Sequence, residues 1–111
     1  MSNEAVFEYR DGQNIPNYVA SVRLHSSVVE VDGRMFEDCY QLRTVVLNEG
    51  LKKIGDYAFQ NCYLLEHINL PSTLIEVGKG AFYGCIALVD VAFSEGLQNI
   101  GSSVCGRVYL R

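Results

Sequence analysis

Cys39, Cys62 and Cys85 lie 23 residues apart, and each follows a phenylalanine by three residues. A shift of 23 residues superimposes the sequence on itself as four units, 19–41, 42–64, 65–87 and 88–110. Each unit has apolar residues at its positions 1, 4, 6, 10 and 13, and position 14 is glycine in every unit except the first. Self-similarity at this period is typical of stacked supersecondary units and not of a closed globule.

The pattern inside one unit predicts its local structure. Alternation around positions 4 and 6 predicts a short strand that turns these side chains inward and positions 3 and 5 outward. Position 13 points inward again after a turn, and the glycine at position 14 predicts a backbone with positive φ, with Asp32 a tolerated alternative. The Ala-Phe-x-x-Cys run predicts one or two helical or 3₁₀ turns that place the phenylalanine in the core.

The unit consensus, LxxVxLxxxLxxIGxxAFxxCxx, resembles the BspA-like class of leucine-rich repeats over residues 19–110. The resemblance implies a leucine-rich-repeat solenoid, β-rich α/β, with short parallel strands stacked in four turns and free thiols in the core. The commoner repeat class carries an asparagine at position 9, which is absent here, so no asparagine ladder is expected. The fourth unit departs from the pattern, since Val104-Cys105 replaces Ala-Phe and Val108 replaces the cysteine.

Both ends of the array call for separate predictions. Residues 1–18 precede the repeats, and their alternating Val6–Tyr9 segment followed by a turn predicts an N-terminal cap. No matching cap follows the fourth unit, so Val104, Cys105, Val108 and Leu110 are expected to form an accessible apolar cluster. This edge would serve self-association or a larger complex. No signal peptide is visible, which favours an intracellular location.

Composition and motifs argue against several functions. The net charge is −4 with scattered basic residues, which is not the charge pattern of a nucleic-acid-binding protein, and the apolar runs are too short to span a membrane. The glycines at 78–84 miss the GxGxxG spacing by one residue, and His25 and His67 occupy unrelated repeat positions. We therefore predict no catalytic residue, cofactor or metal site, and the chain is not expected to be an enzyme.

The cysteines admit more than one interpretation. Successive repeats would bring their Cα atoms to about 5 Å, a separation that a disulfide tolerates. Side chains in a parallel ladder point the same way, however, which favours a buried column of small apolar residues. Zinc is disfavoured because only three such thiols exist and no CxxC spacing is present. Redox chemistry that uses Cys105 with this column stays open as an alternative.

The remaining surface predicts a non-catalytic protein–protein interaction module, with a structural subunit docking through the C-terminal edge as the alternative. A stripe of tyrosines at position 22 is either a binding stripe or packing between repeats, and packing is favoured. The candidate partner-binding residues are Thr44, Val46, His67, Asn69, Asp90 and Ala92 at positions 3 and 5, Tyr40, Tyr63 and Tyr109 at position 22, and Val108.

Overall fold

A computed structural model describes residues 6–93, 96–102 and 104 of the chain. This part contains strands and turns, and no helix is present among the described residues. The strands are β1 (Phe7–Tyr9), β2 (Ser21–Leu24), β3 (Glu30–Val31), β4 (Thr44–Val46), β5 (Lys53–Ile54), β6 (His67–Asn69), β7 (Glu76–Val77), β8 (Asp90–Ala92) and β9 (Asn99–Ile100).

The strands form parallel ladders whose register equals the repeat length. Val22 lies opposite Val45, and Val31 lies opposite Ile54, so each residue pairs with the one 23 positions later. Strand β1 pairs in parallel with β2 and covers the edge of the first unit. The predicted solenoid of stacked parallel strands is therefore confirmed.

The two strands of each unit belong to different sheets, which differ in continuity. The second strands form one four-stranded sheet in the order β3-β5-β7-β9, which we call the second sheet. The first strands form two separate pieces, β1-β2-β4 and β6-β8, which together we call the first sheet. Although β4 and β6 are in contact, no strand pairing joins them.

Pro71 follows β6 and lies beside this interruption. It occupies position 7 of the third unit, where His25 of the first unit donates its backbone N–H to the Tyr9 oxygen at 2.8 Å. Proline has no backbone N–H, so the equivalent bond from the third unit to the second cannot form. The second unit also lacks this bond, at Asn48, although β4 pairs with β2, so the proline by itself does not account for the gap. Pro71 is buried, which places it between stacked units and not in an exposed loop.

The segment that carries the Ala-Phe-x-x-Cys run, positions 15–21, is a chain of turns and not a helix, so the helical prediction is wrong. Alternate N–H groups bond within the segment, as from Glu37 to Arg34, and to the next unit, as from Phe36 to Ala58 at 2.7 Å. A left-handed residue at positions 16 and 20 redirects the chain and prevents a continuous helix. These residues are Arg34, Asp38, Tyr57, Asn61, Gly80 and Gly84. We call positions 15–21 the turn segment.

The glycines at position 14 are needed for close approach and not for positive φ. Neither Gly55 nor Gly78 has a left-handed backbone, which corrects the first explanation of this column. A Cβ added to Gly55 would lie 2.5 Å from the backbone nitrogen of Gly33 in the preceding unit. Because backbone atoms cannot move aside, a side chain here would push successive units apart. Asp32 is exposed in the first repeat, where no repeat precedes it.

The core consists of the predicted apolar columns, stacked along the solenoid. Phe36, Phe59 and Phe82 are fully buried, and their rings stack at centroid distances of 5.0 and 5.4 Å. Val104 is also buried, so the prediction that it belongs to an accessible cluster is wrong. Val104 continues the buried alanine column, and its backbone oxygen accepts from the Phe82 N–H. Cys105, Val108 and Leu110 lie outside the described residues.

Candidate interaction surfaces

The outward residues of β2, β4, β6 and β8 form a surface that we call the strand face. Thr44, Val46, His67, Asn69 and Ala92 are exposed here, while the inward residues of the same strands are buried, as alternation predicts. Ser21 is an exception, since it occupies an outward position but is 7 % exposed. Asp90 lies in β8 beside His67, and its side chain is outside the described part.

Few charges interrupt the strand face. At its first-unit end, Glu8 of β1 accepts from Arg10 at 3.1 Å and from Arg23 at 3.4 Å. Although desolvation acts in the opposite direction, these two cations lower the pKa of Glu8. Val46 is 49 % exposed at the centre, which gives the face an apolar spot between polar side chains. The acidic and basic positions, Arg23 and Asp90, lie towards the two ends of the face. Its centre therefore has the mixed apolar and polar composition of protein interfaces.

The tyrosine stripe both packs and remains accessible. Tyr40 and Tyr63 stack with ring centroids 5.1 Å apart and planes inclined by 12°, yet they are 49 % and 39 % exposed. The Asp38 carboxylate raises the pKa of Tyr40 most, followed by desolvation, and Asp38 also accepts from the Asn61 amide at 3.0 Å. Ile86 follows at the same repeat position and is 75 % exposed. Tyr109 and Val108 lie outside the described residues.

The cysteine column is buried and its thiols are free. Cys62 and Cys85 donate their thiol hydrogens to the Phe36 and Phe59 oxygens at 3.2 and 3.0 Å. Burial, assisted by the Asp38 charge, raises the pKa of Cys39 to about 11, and interaction with Cys85 together with burial raises that of Cys62. The same interaction with Cys62 lowers the pKa of Cys85. All three thiols are buried, however, and the raised pKa of Cys39 keeps its thiol protonated, so the column lacks the accessible thiolate that redox chemistry needs.

Two polar residues that bridge neighbouring units were not predicted. The Asn48 amide nitrogen donates to the Val28 oxygen at 2.8 Å, and the Thr73 hydroxyl donates to the Leu51 oxygen at 2.8 Å. Thr73 also accepts from the Gly50 N–H at 2.9 Å. Both residues occupy the turn at positions 7–9, where short polar side chains bond to backbone. The short polar residue types could have indicated these bonds, but positions 7 and 9 vary from unit to unit, so the repeat pattern did not single them out.

The two histidines do not form a catalytic or metal-binding arrangement with other described residues. The His25 Nδ1 accepts from the Ser27 N–H at 3.1 Å and lies 2.7 Å from its hydroxyl, which is a local turn contact. His67 is exposed on the strand face. Within 6–93, 96–102 and 104, no three His, Cys, Asp or Glu side chains are grouped to hold a metal ion. In the same residues, no helix of sufficient length and apolarity exists to cross a membrane.

Together, the parallel strands, the 23-residue register and the buried leucine, phenylalanine and cysteine columns define a solenoid of leucine-rich repeats. The family model described as the BspA type leucine rich repeat region, with six copies, matches residues 14–111. The chain therefore belongs to the BspA type leucine-rich repeat family. Repeat folds of this kind generally present surfaces for protein binding and are typically non-enzymatic.

Solved structures show the same fold. A leucine-rich repeat protein of T. pallidum superimposes with a TM-score of 0.75 and 32 % identity over 93 % of this chain and 50 % of that one. A leucine-rich repeat protein from Bacteroides ovatus gives a TM-score of 0.75 and 30 % identity over 83 % of this chain and 24 % of that one. The chain thus spans half the length of the first and about a quarter of the second. No curated protein matches the chain.

Proposed function

We propose that this chain is a non-catalytic protein-interaction module that docks its partner on the strand face. The observation that carries the proposal is the row of exposed, mostly small or polar side chains with half-exposed Val46 at its centre. Beneath it, the inward residues Val22, Val45 and Ile68 are buried, so the row stands on packed core. A rigid surface loses little conformational entropy when a partner binds.

The second sheet is a poorer candidate for docking. Glu30, Lys53 and Glu76 alternate in charge at position 12, and Lys53 lies 3.6 Å from Glu76. Its strands are two residues long, which gives a narrower surface than the three- and four-residue strands of the strand face. Because charged residues are depleted at interface cores, desolvation would cost more on this side.

Two matched valines test the assignment. Val46 is 49 % exposed on the strand face, and Val29 is 57 % exposed just before β3 of the second sheet. Val46→Asp and Val29→Asp add the same charge at similarly exposed positions, so each should change the free energy of unfolding by only about 0.5 kcal/mol. The immobilised wild-type protein and both variants would then be compared for the proteins they retain.

We expect retained proteins to be lost with Val46→Asp and kept with Val29→Asp, because a buried carboxylate without a partner opposes docking. Unfolding curves for both variants provide the control for folding. Equal retention by the two variants, or no specific retention by the wild type, would contradict the strand face as the docking site.

A further inference from the structure

The tyrosine pair at position 22 is a second exposed feature, separate from the strand face. Tyr40 and Tyr63 stack on each other and leave about half and two fifths of their surface in solvent. Exposed apolar side chains adjoin them in sequence or repeat position: Leu64 is 40 % and Ile86 is 75 % exposed. A stacked, half-exposed tyrosine pair with further exposed apolar residues at adjoining positions indicates a contact surface.

The charge beside this pair is negative. Asp38 lies two residues before Tyr40, and its carboxylate is the main cause of the raised pKa of that tyrosine; Glu37 contributes less. One Asp38 oxygen accepts from the Asn61 amide, and the other accepts no hydrogen bond from any described residue. Glu37 pairs with Arg34, which leaves Asp38 as the carboxylate available to a ligand.

One arginine of this chain already contacts an aromatic ring and a carboxylate at the same time. The Arg34 guanidinium lies over the Tyr57 ring, 4.7 Å from its centroid, and also pairs with the Glu37 carboxylate. Arg34 and Tyr57 stand at the same position of successive units, as Tyr40 and Tyr63 do. A planar guanidinium can stack on an aromatic face while it donates to a carboxylate, which an ammonium cannot do equally well.

We propose that the stacked Tyr40 and Tyr63, with Asp38 beside them, form a docking site for an arginine-bearing segment of a partner protein. The arginine extends the aromatic stack and donates to the free Asp38 oxygen. An apolar residue next to the arginine contacts Leu64 and Ile86. The site does not depend on the strand face, so the failure of one assignment leaves the other standing.

The test uses a blocked peptide, acetyl-Gly-Leu-Arg-Gly-amide, and the same peptide with citrulline in place of arginine. Citrulline keeps the planar shape but has no charge. Both peptides would be titrated at millimolar concentration while the ring resonances of the tyrosines are followed by nuclear magnetic resonance. We expect saturable shifts of Tyr40 and Tyr63 with the arginine peptide and roughly three-fold or more weaker binding of the citrulline peptide.

Protein variants separate the site from general attraction to an acidic protein. Tyr40→Leu should weaken the arginine peptide roughly three-fold, whereas Tyr83→Leu, at a 47 % exposed tyrosine outside the stack, should leave binding unchanged. Both variants keep the net charge. Asp38→Asn should weaken binding and reduce its dependence on salt. Equal binding of both peptides, equal effects of the two tyrosine variants, or no saturable shift would overturn the proposal.

Discussion

The first and second sheets are built from the same repeats, yet only the second is continuous. In the second sheet, the N–H groups of Gly55 and Gly78 donate to the preceding unit at 2.8 and 2.7 Å. In the first sheet, pairing stops between β4 and β6, close to buried Pro71. The comparison indicates that backbone hydrogen bonds at the glycine column and the turn segments hold the stack together, while the first sheet tolerates the absence of pairing between β4 and β6.

This difference is consistent with a second sheet that stabilises the stack and a strand face that binds a partner. The turn segment and second sheet bring backbones so close that position 14 admits no side chain in the later units. The strand face has fewer such restraints, so its outward residues vary from Thr44 to His67 and from Val46 to Asn69. Sequence variation on a fixed scaffold is how repeat proteins acquire different partners.

The largest expected effect lies in the stacked core. Phe59 is fully buried between Phe36 and Phe82, so Phe59→Ala should lower the free energy of unfolding by about 3–5 kcal/mol. Lys52→Ala, at an exposed residue of the same unit, should stay within about 0.5 kcal/mol. Denaturant unfolding of both variants measures this, and small, equal losses would rule out a stack that depends on the phenylalanines.

A smaller effect is expected at the glycine column. A Cβ at Gly78 would lie 2.5 Å from Asp56 Oδ1 and 2.6 Å from the Asp56 nitrogen, so Gly78→Ala should cost about 1–3 kcal/mol. Gly96 offers a matched control, because a Cβ added there would lie 3.8 Å from the Ser72 backbone oxygen, an ordinary van der Waals contact. Gly96→Ala should change stability by about 0.5 kcal/mol or less. If both alanines cost the same in thermal unfolding, close approach is not the reason for the column.

The thiols give a chemical comparison of folded and unfolded protein. In a Cys105→Ser variant only Cys39, Cys62 and Cys85 remain, and at pH 8 they should react with an aromatic disulfide reagent only after unfolding. The folded protein holds the Cys39 proton up to about pH 11. The stability this provides is therefore complete below about pH 9 and is lost as the pH rises toward 11. A thiol that reacts rapidly in the native variant would restore the redox alternative.

The sequence predicted the architecture better than its local geometry. The 23-residue period placed the buried columns and the parallel register, because stacking repeats must bury equivalent residues. It did not predict the left-handed residues Arg34 and Tyr57, since neither residue type favours positive φ. Alternation located the exposed residues of the strand face, but which of them contact a partner depends on that partner's shape and remains a proposal.

Hydrogen exchange tests the comparison between the two sheets most directly. Thr44 and Val46 belong to β4, which pairs with β2, while His67 and Asn69 hold the same repeat positions in β6, which has no pairing on the β4 side. We predict that the amides of His67 and Asn69 exchange roughly ten-fold or more faster than those of Thr44 and Val46. The amides of Gly55 and Gly78, bonded across the second sheet, should be among the slowest. Equal protection of the β4 and β6 amides, or rapid exchange at the two glycines, would contradict the account of a first sheet interrupted between β4 and β6 and a continuous second sheet.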